Sequence, residues 1–106
     1  MMRFINALRR KLLETNKLQG YLNIAQKAGY VIWGGETLEN YNKKLYLVLF
    51  DSSAQKSTLK IISKLKEKQI KIIQVENLGN LVNKPNCKVI GLKNKSLSDQ
   101  IEVLLN

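Results

Sequence analysis

The sequence predicts an α/β fold with helices on both faces of one small sheet. Three observations carry that prediction. Short apolar or β-branched runs recur along the chain, and stretches of helical periodicity separate them. At 106 residues the chain is long enough for one domain and too short for two comfortable ones. Its apolar content of 44% is that of a chain that buries a core without staples. No internal repeat or low-complexity linker interrupts it.

The elements follow in order. Residues 3–13 form a basic amphipathic helix, with Phe4, Ile5, Leu8 and Leu12 on one face and Arg9, Arg10 and Lys11 mostly off it. Such a helix caps the domain or acts as an arm toward RNA phosphates or a membrane surface. Thr15–Asn16 breaks the pattern, and Asn16 with Gln19 resembles a capping box. Residues 1–15 are therefore expected as a basic helical extension, and 16–106 as a single domain. The next helix carries Leu18, Tyr21, Leu22, Ala25 and Ala28, and Gly29 ends it in the left-handed conformation.

Tyr30–Trp33 is a short strand, Gly34–Gly35 a turn, and Glu36–Asn42 a short helix. Lys43–Phe50 is the best strand, continuously apolar from Leu45 as a central strand should be. Asp51–Ser53 is a loop offering an N-cap. Lys56–Lys68 is a helix with Leu59, Ile61, Ile62 and Leu65 inward. Lys71–Val75 is a second buried strand, and Leu78–Val82 a short helix. Asn83–Asn86, with the only proline, is a loop. Lys88–Leu92 is a further strand, and Ser96–Leu105 a last helix capped by Ser96.

The formal net charge is +10 and the pI about 9.9. That balance fits a polyanionic partner, most simply nucleic acid. Fifteen Lys against three Arg, with eleven Asn, is also what an AT-rich genome yields without selection for function. One Cys and no His leave no disulfide framework, which fits a reducing cytoplasm. They also leave no Ser-His-Asp triad, no Cys/His zinc site and no His general base. No apolar run reaches the roughly 18 residues of a membrane span. The N-terminus lacks the apolar stretch and small-residue cleavage site of a signal peptide.

Three stretches can carry function. The first is the glycine turn before Glu36. A helix entered through two glycines presents backbone N–H groups to an anion and permits close approach. Glu36 either balances the helix dipole, by roughly 0.3–1 kcal/mol, or accepts hydrogen bonds from a base edge. The glycines fit neither the P-loop nor the dinucleotide pattern. The second stretch is a lysine stripe, Lys56, Lys60, Lys64 and Lys68 with Lys66 beside it. Like charges four apart repel by roughly 0.2–0.5 kcal/mol per pair, and the stripe is either a solvated face or a source of long-range attraction to phosphates. The third is the loop Asn83–Cys87, stiffened by Pro85. Its lone thiol has the character of a small apolar residue.

Taken in order, "YLNIAQKAGYVIWGGETLENY", "KLYLVLFDSSAQKSTLKIISKLKEKQIKIIQV" and "LGNLVNKPNCKVIGLKN" are similar to one family over roughly residues 17–105. This is the kink-turn RNA-binding family built around the archaeal and eukaryotic large-subunit ribosomal proteins seven-A and thirty-e. The small, cytoplasmic, ribosomal-protein-like bacterial members resemble the chain most. The resemblance implies a three-layer α/β/α sandwich around a small four-stranded mixed sheet. It also implies a non-catalytic RNA-binding role and no cofactor or metal. Members bind a kinked helix–bulge–helix with tandem sheared G·A pairs.

Carried over by position, the glycine turn falls on Gly34 and Gly35. The base-reading acid falls on Glu36, followed by Thr37. The loop packing near the flipped-out nucleotide falls on Lys84, Pro85, Asn86 and Cys87. Lys43 and Lys44 complete the expected RNA-contacting set. Two positions depart from the archaeal and eukaryotic pattern: Gly35 stands where Asn is usual, and Glu39 where Lys is usual. The expected partners are structured RNA, ribosomal RNA included, and components of the ribosome or another ribonucleoprotein, with no membrane. The alternative is a protein-interaction or ribosome-assembly module on the same fold.

Overall fold

The structure, a computed structural model, describes the backbone of residues 2–105 and the side chains of residues 13–105. Nine elements follow one another: α1 (Met2–Lys27), β1 (Val31–Trp33), α2 (Gly35–Asn40), β2 (Leu47–Asp51), α3 (Lys56–Glu67), β3 (Ile72–Val75), α4 (Leu78–Leu81), β4 (Val89–Leu92) and α5 (Lys95–Leu105). The four strands form one mixed sheet in the order β1-β4-β2-β3. β4 runs antiparallel to both β1 and β2, while β2 and β3 are parallel. The parallel pair needs a crossover, and α3 supplies it.

Strand alternation assigns side chains to the two faces. Leu47 and Leu49 of β2 and Ile90 and Leu92 of β4 meet Leu22 and Ala25 of α1, Leu78 and Leu81 of α4, and Ile101 of α5. Val48 and Val89 point the other way, to Leu38 of α2 and Leu65 of α3. The result is the expected three-layer sandwich, with the two inner strands apolar except for Asp51 at the end of β2. β3 departs from expectation. As an edge strand it buries only Val75 fully and leaves Gln74 exposed.

Other local readings change as well. The expected break at Thr15–Asn16 does not occur, because α1 runs through it. Thr and Asn cost at most about 0.7 kcal/mol each in a helix. With Leu18, Leu22 and Ala25 anchored in the core, nothing there stops the helix. The predicted apolar face of residues 3–12 lies outside the described side chains. Gly29 ends α1 at φ 74°, as its position predicts. β2 begins at Leu47, because Lys43–Tyr46 is irregular, although Leu45 is buried. Leu59 turns outward at 42% exposure, while Ile62 and Leu65 point in. The cap of α5 is Asn94, whose Oδ1 accepts from the Leu97 N–H at 2.9 Å, and not Ser96.

Asp51 has the largest change of role. It ends β2 and is nearly buried, at 5% exposure. It does not cap α3, whose N-cap Gln55 makes no side-chain bond. Its Oδ1 instead accepts the Leu78 N–H at 2.9 Å, capping α4 from 27 residues away. Its Oδ2 accepts from the Ser53 N–H at 2.9 Å and from the Ser53 hydroxyl. The Lys88 ammonium lies 3.7 Å from the same oxygen. Chiefly through the Ser53 hydroxyl, and then through the two N–H groups and Lys88, the carboxyl is held at about 2 although burial opposes this.

A carboxyl with a depressed pKa stabilises the fold above its unfolded pKa, and that stability is lost as pH falls toward the folded value. Stability in urea should therefore decline between about pH 5 and pH 2. Asp51→Ala strands the buried Leu78 N–H, so it should cost about 1–3 kcal/mol at pH 7 and flatten that decline. Equal acid sensitivity in wild type and variant would show that Asp51 does not govern it.

Candidate functional site

The glycine turn and the loop before β4 meet at one end of the sheet. Together they line a cleft of about 640 Å³, whose walls include Trp33, Gly34, Gly35, Thr58, Asn83 and the run 84–89. This is an ordinary size for a binding pocket. Of the residues predicted from sequence, Gly34, Gly35, Lys84, Pro85, Asn86 and Cys87 line it.

Gly34 and Gly35 have different tasks. Gly34 adopts φ 84° and ψ 152°, a region open essentially to glycine alone. This conformation turns the chain from β1 into α2. Its N–H donates to the Val89 carbonyl at 3.3 Å, so, contrary to the expectation from sequence, that group is committed to the fold and not offered to a ligand. A Cβ on Gly35 would stand 2.8 Å from Ile61 Cδ1. The absence of a side chain there lets α2 lie against α3.

Glu36 and Thr37 follow in the first turn of α2, exposed and beside the cleft without lining it. Among the described residues nothing pairs with the Glu36 carboxylate. Glu39, one turn later, accepts from Lys64 Nζ of α3 at 2.5 Å. This pairing raises the lysine's pKa. Glu39 is thus paired with a member of the lysine stripe, whereas the Glu36 carboxylate has no such partner among the described residues.

The loop wall is held from behind. Lys84 donates its N–H to the Gly79 carbonyl at 2.8 Å, and Cys87 donates its N–H to the Lys84 carbonyl at 2.9 Å. Asn83 takes a left-handed φ of 56°. Burial pushes the Cys87 thiol pKa up, which suits a wall residue and opposes thiolate chemistry.

Lys43 and Lys44 are not part of this arrangement. Tyr46, just after them, donates to Leu92, whereas Gly34 donates to Val89 at the other end of β4. The two lysines therefore lie toward the far end of the sheet, and Lys44 is held 5.2 Å from the Tyr46 ring. The sequence reading also missed four cleft residues, Trp33, Thr58, Lys88 and Val89. Trp33 carried a usable signal, since it is the only tryptophan and directly precedes the glycines.

A Bacillus halodurans C structure, described as a protein with unknown function, matches the fold. The TM-score is 0.75 at 27% sequence identity, covering 84% of this chain and 96% of that one. No family model and no curated protein matches the chain. Among the described residues no cluster of His, Cys, Asp and Glu could hold a metal ion. No helix among them is long and apolar enough to cross a membrane.

Gly79 fixes how closely the loop approaches α4. A Cβ there would stand 2.8 Å from the carbonyl oxygens of both Lys84 and Pro85. Gly79→Ala should displace the 83–87 loop and cost about 1–3 kcal/mol in urea unfolding. Cys87, the only thiol, should then react faster with a disulfide reagent. Unchanged stability and an unchanged labelling rate would mean that the loop is not pinned there.

Proposed function

We propose that the chain is a non-catalytic RNA-binding protein of the kink-turn ribosomal-protein type, recognising structured RNA in a ribosome or another ribonucleoprotein. The observation that carries this reading is the meeting of the glycine turn and the 83–87 loop in one cleft, with the Glu36 carboxylate, unpaired among the described residues, beside it. These two segments are the ones the family resemblance assigns to RNA, and they are some 50 residues apart in sequence. The charge of +10 supports it through attraction of phosphates. Recognition then follows RNA shape, with Glu36 accepting hydrogen bonds from an unstacked or sheared base.

An uncompensated acid at Glu39 would favour the alternative, a protein-interaction or assembly module. The pairing of Glu39 with Lys64 removes that ground. The RNA reading is therefore the better supported.

The test is a gel-shift titration with a kink-turn RNA and a plain duplex. Glu36→Ala should weaken kink-turn binding about ten-fold or more, the order of one bidentate base contact. Preference over the duplex should narrow. The slope of affinity against salt should not change, because a carboxylate neutralises no phosphate. Equal affinities for wild type and variant would remove Glu36 from the interface. No retardation of either RNA at low salt would overturn the proposal.

A further inference from the structure

Trp33 is absent from the set that the family resemblance assigns to RNA, yet it lines the cleft. It is the last residue of β1, half-buried, and packs against the core on the α1, α4 and α5 side. The rest of the chain thus anchors the indole while part of it faces the cavity. The Lys84 ammonium, on the opposite wall, stands 4.2 Å from the centre of its ring. An exposed lysine over an indole is a weak contact that a better π partner displaces. Every nucleobase is such a partner, and stacking of a base on an aromatic ring is worth more than an exposed cation–π contact.

The surroundings suit the exchange. Beside the indole, Gly34 faces open space, with nothing within 4 Å of where its Cβ would be. Asn83 and Asn86 supply amides at the cleft wall for the polar edges of a base, and Val89 and Cys87 add apolar surface. The wall carrying Lys84 is braced by its bonds to Gly79 and Cys87. Release of the lysine side chain therefore does not require the loop to move.

We propose that Trp33 is a stacking platform for one unpaired nucleobase, and that Lys84 covers it in the free protein. On binding, the base takes the place of the ammonium over the ring, and Lys84 is released toward the adjoining phosphate. This deepens the reading of the cleft as an RNA interface and rests on it.

The experiment uses the full chain and two RNAs. One is a kink-turn RNA with unpaired nucleotides in its bulge, and the other is the same RNA made abasic at those nucleotides. Affinity is read by gel shift and stacking by intrinsic fluorescence, whose indole signal comes from Trp33 alone because the chain has one tryptophan. The intact RNA should quench the indole and bind at least about five-fold tighter than the abasic one. Trp33→Phe should keep most of that difference and Trp33→Leu should abolish it.

If both RNAs bind equally and change the fluorescence equally, the stacking proposal is wrong while RNA binding stands. If neither RNA binds, the RNA reading fails and the stacking proposal falls with it. The comparison of two RNAs on the unaltered protein needs no variant to fold, so it decides the matter even if Trp33→Leu is unstable.

Discussion

The arrangement at the cleft depends on one buried carboxylate. α4 has four residues and no side-chain cap of its own, since Asn77 before it makes no such bond. A helix that short does not hold itself. Asp51 holds it by accepting the Leu78 N–H from the end of the central strand β2. The same carboxylate closes the turn at Ser53 and approaches Lys88. α4 in turn sets the 83–87 loop, through Gly79. One wall of the cleft therefore hangs from the sheet by a charge, not by apolar packing alone. The ring of donors around Asp51 keeps it ionised despite its burial.

How much of this could be read from sequence depends on the range of the interactions involved. The four strands and the helices between them were legible, because alternation and periodicity are local. Gly29 was legible for the same reason, as a left-handed residue at a helix end. The role of Asp51 was not, because its partner lies 27 residues away and no local signal marks such a cap. The Asn16 capping pattern misled in the opposite sense. It is a valid local signal, overridden by core anchoring of the residues after it. The partial exposure of β3 follows from strand order, which the apolar run Ile70–Val75 does not encode.

The site divides along the same line. The glycine turn and the loop could each be recognised alone, but their shared cavity depends on β1 and β4 being neighbours in the sheet. Thr58 enters it through tertiary placement only, while Lys88 and Val89 simply continue the loop into β4. Lys43 and Lys44 lie close to Glu36 in sequence, yet α2 carries the chain away from the cleft before they occur. Charge shows a related effect. By count, Glu36 and Glu39 are two acids on one short helix. In space, Lys64 neutralises one and leaves the other, and it also relieves part of the repulsion within the α3 stripe. An exposed pair of this kind adds little to stability, because water screens it. Its larger consequence is to determine where negative charge remains on a basic surface.

The four residues Trp33–Glu36 combine these constraints in a fixed order. Gly34 makes the turn that only glycine tolerates, so the chain leaves β1 with the indole still at the cavity. Gly35 gives up a side chain so that α2 can close on Ile61. A side chain there would bring its Cβ to 2.8 Å from Ile61 Cδ1, the flexible end of a side chain that would have to swing aside. On the same helix Glu39 pairs with Lys64, and Glu36 is the acid without a partner among the described residues. Gly35 and Glu39 both face α3, one against Ile61 and the other paired with Lys64. Of this segment, Trp33 lines the cleft and Glu36 stands exposed beside it.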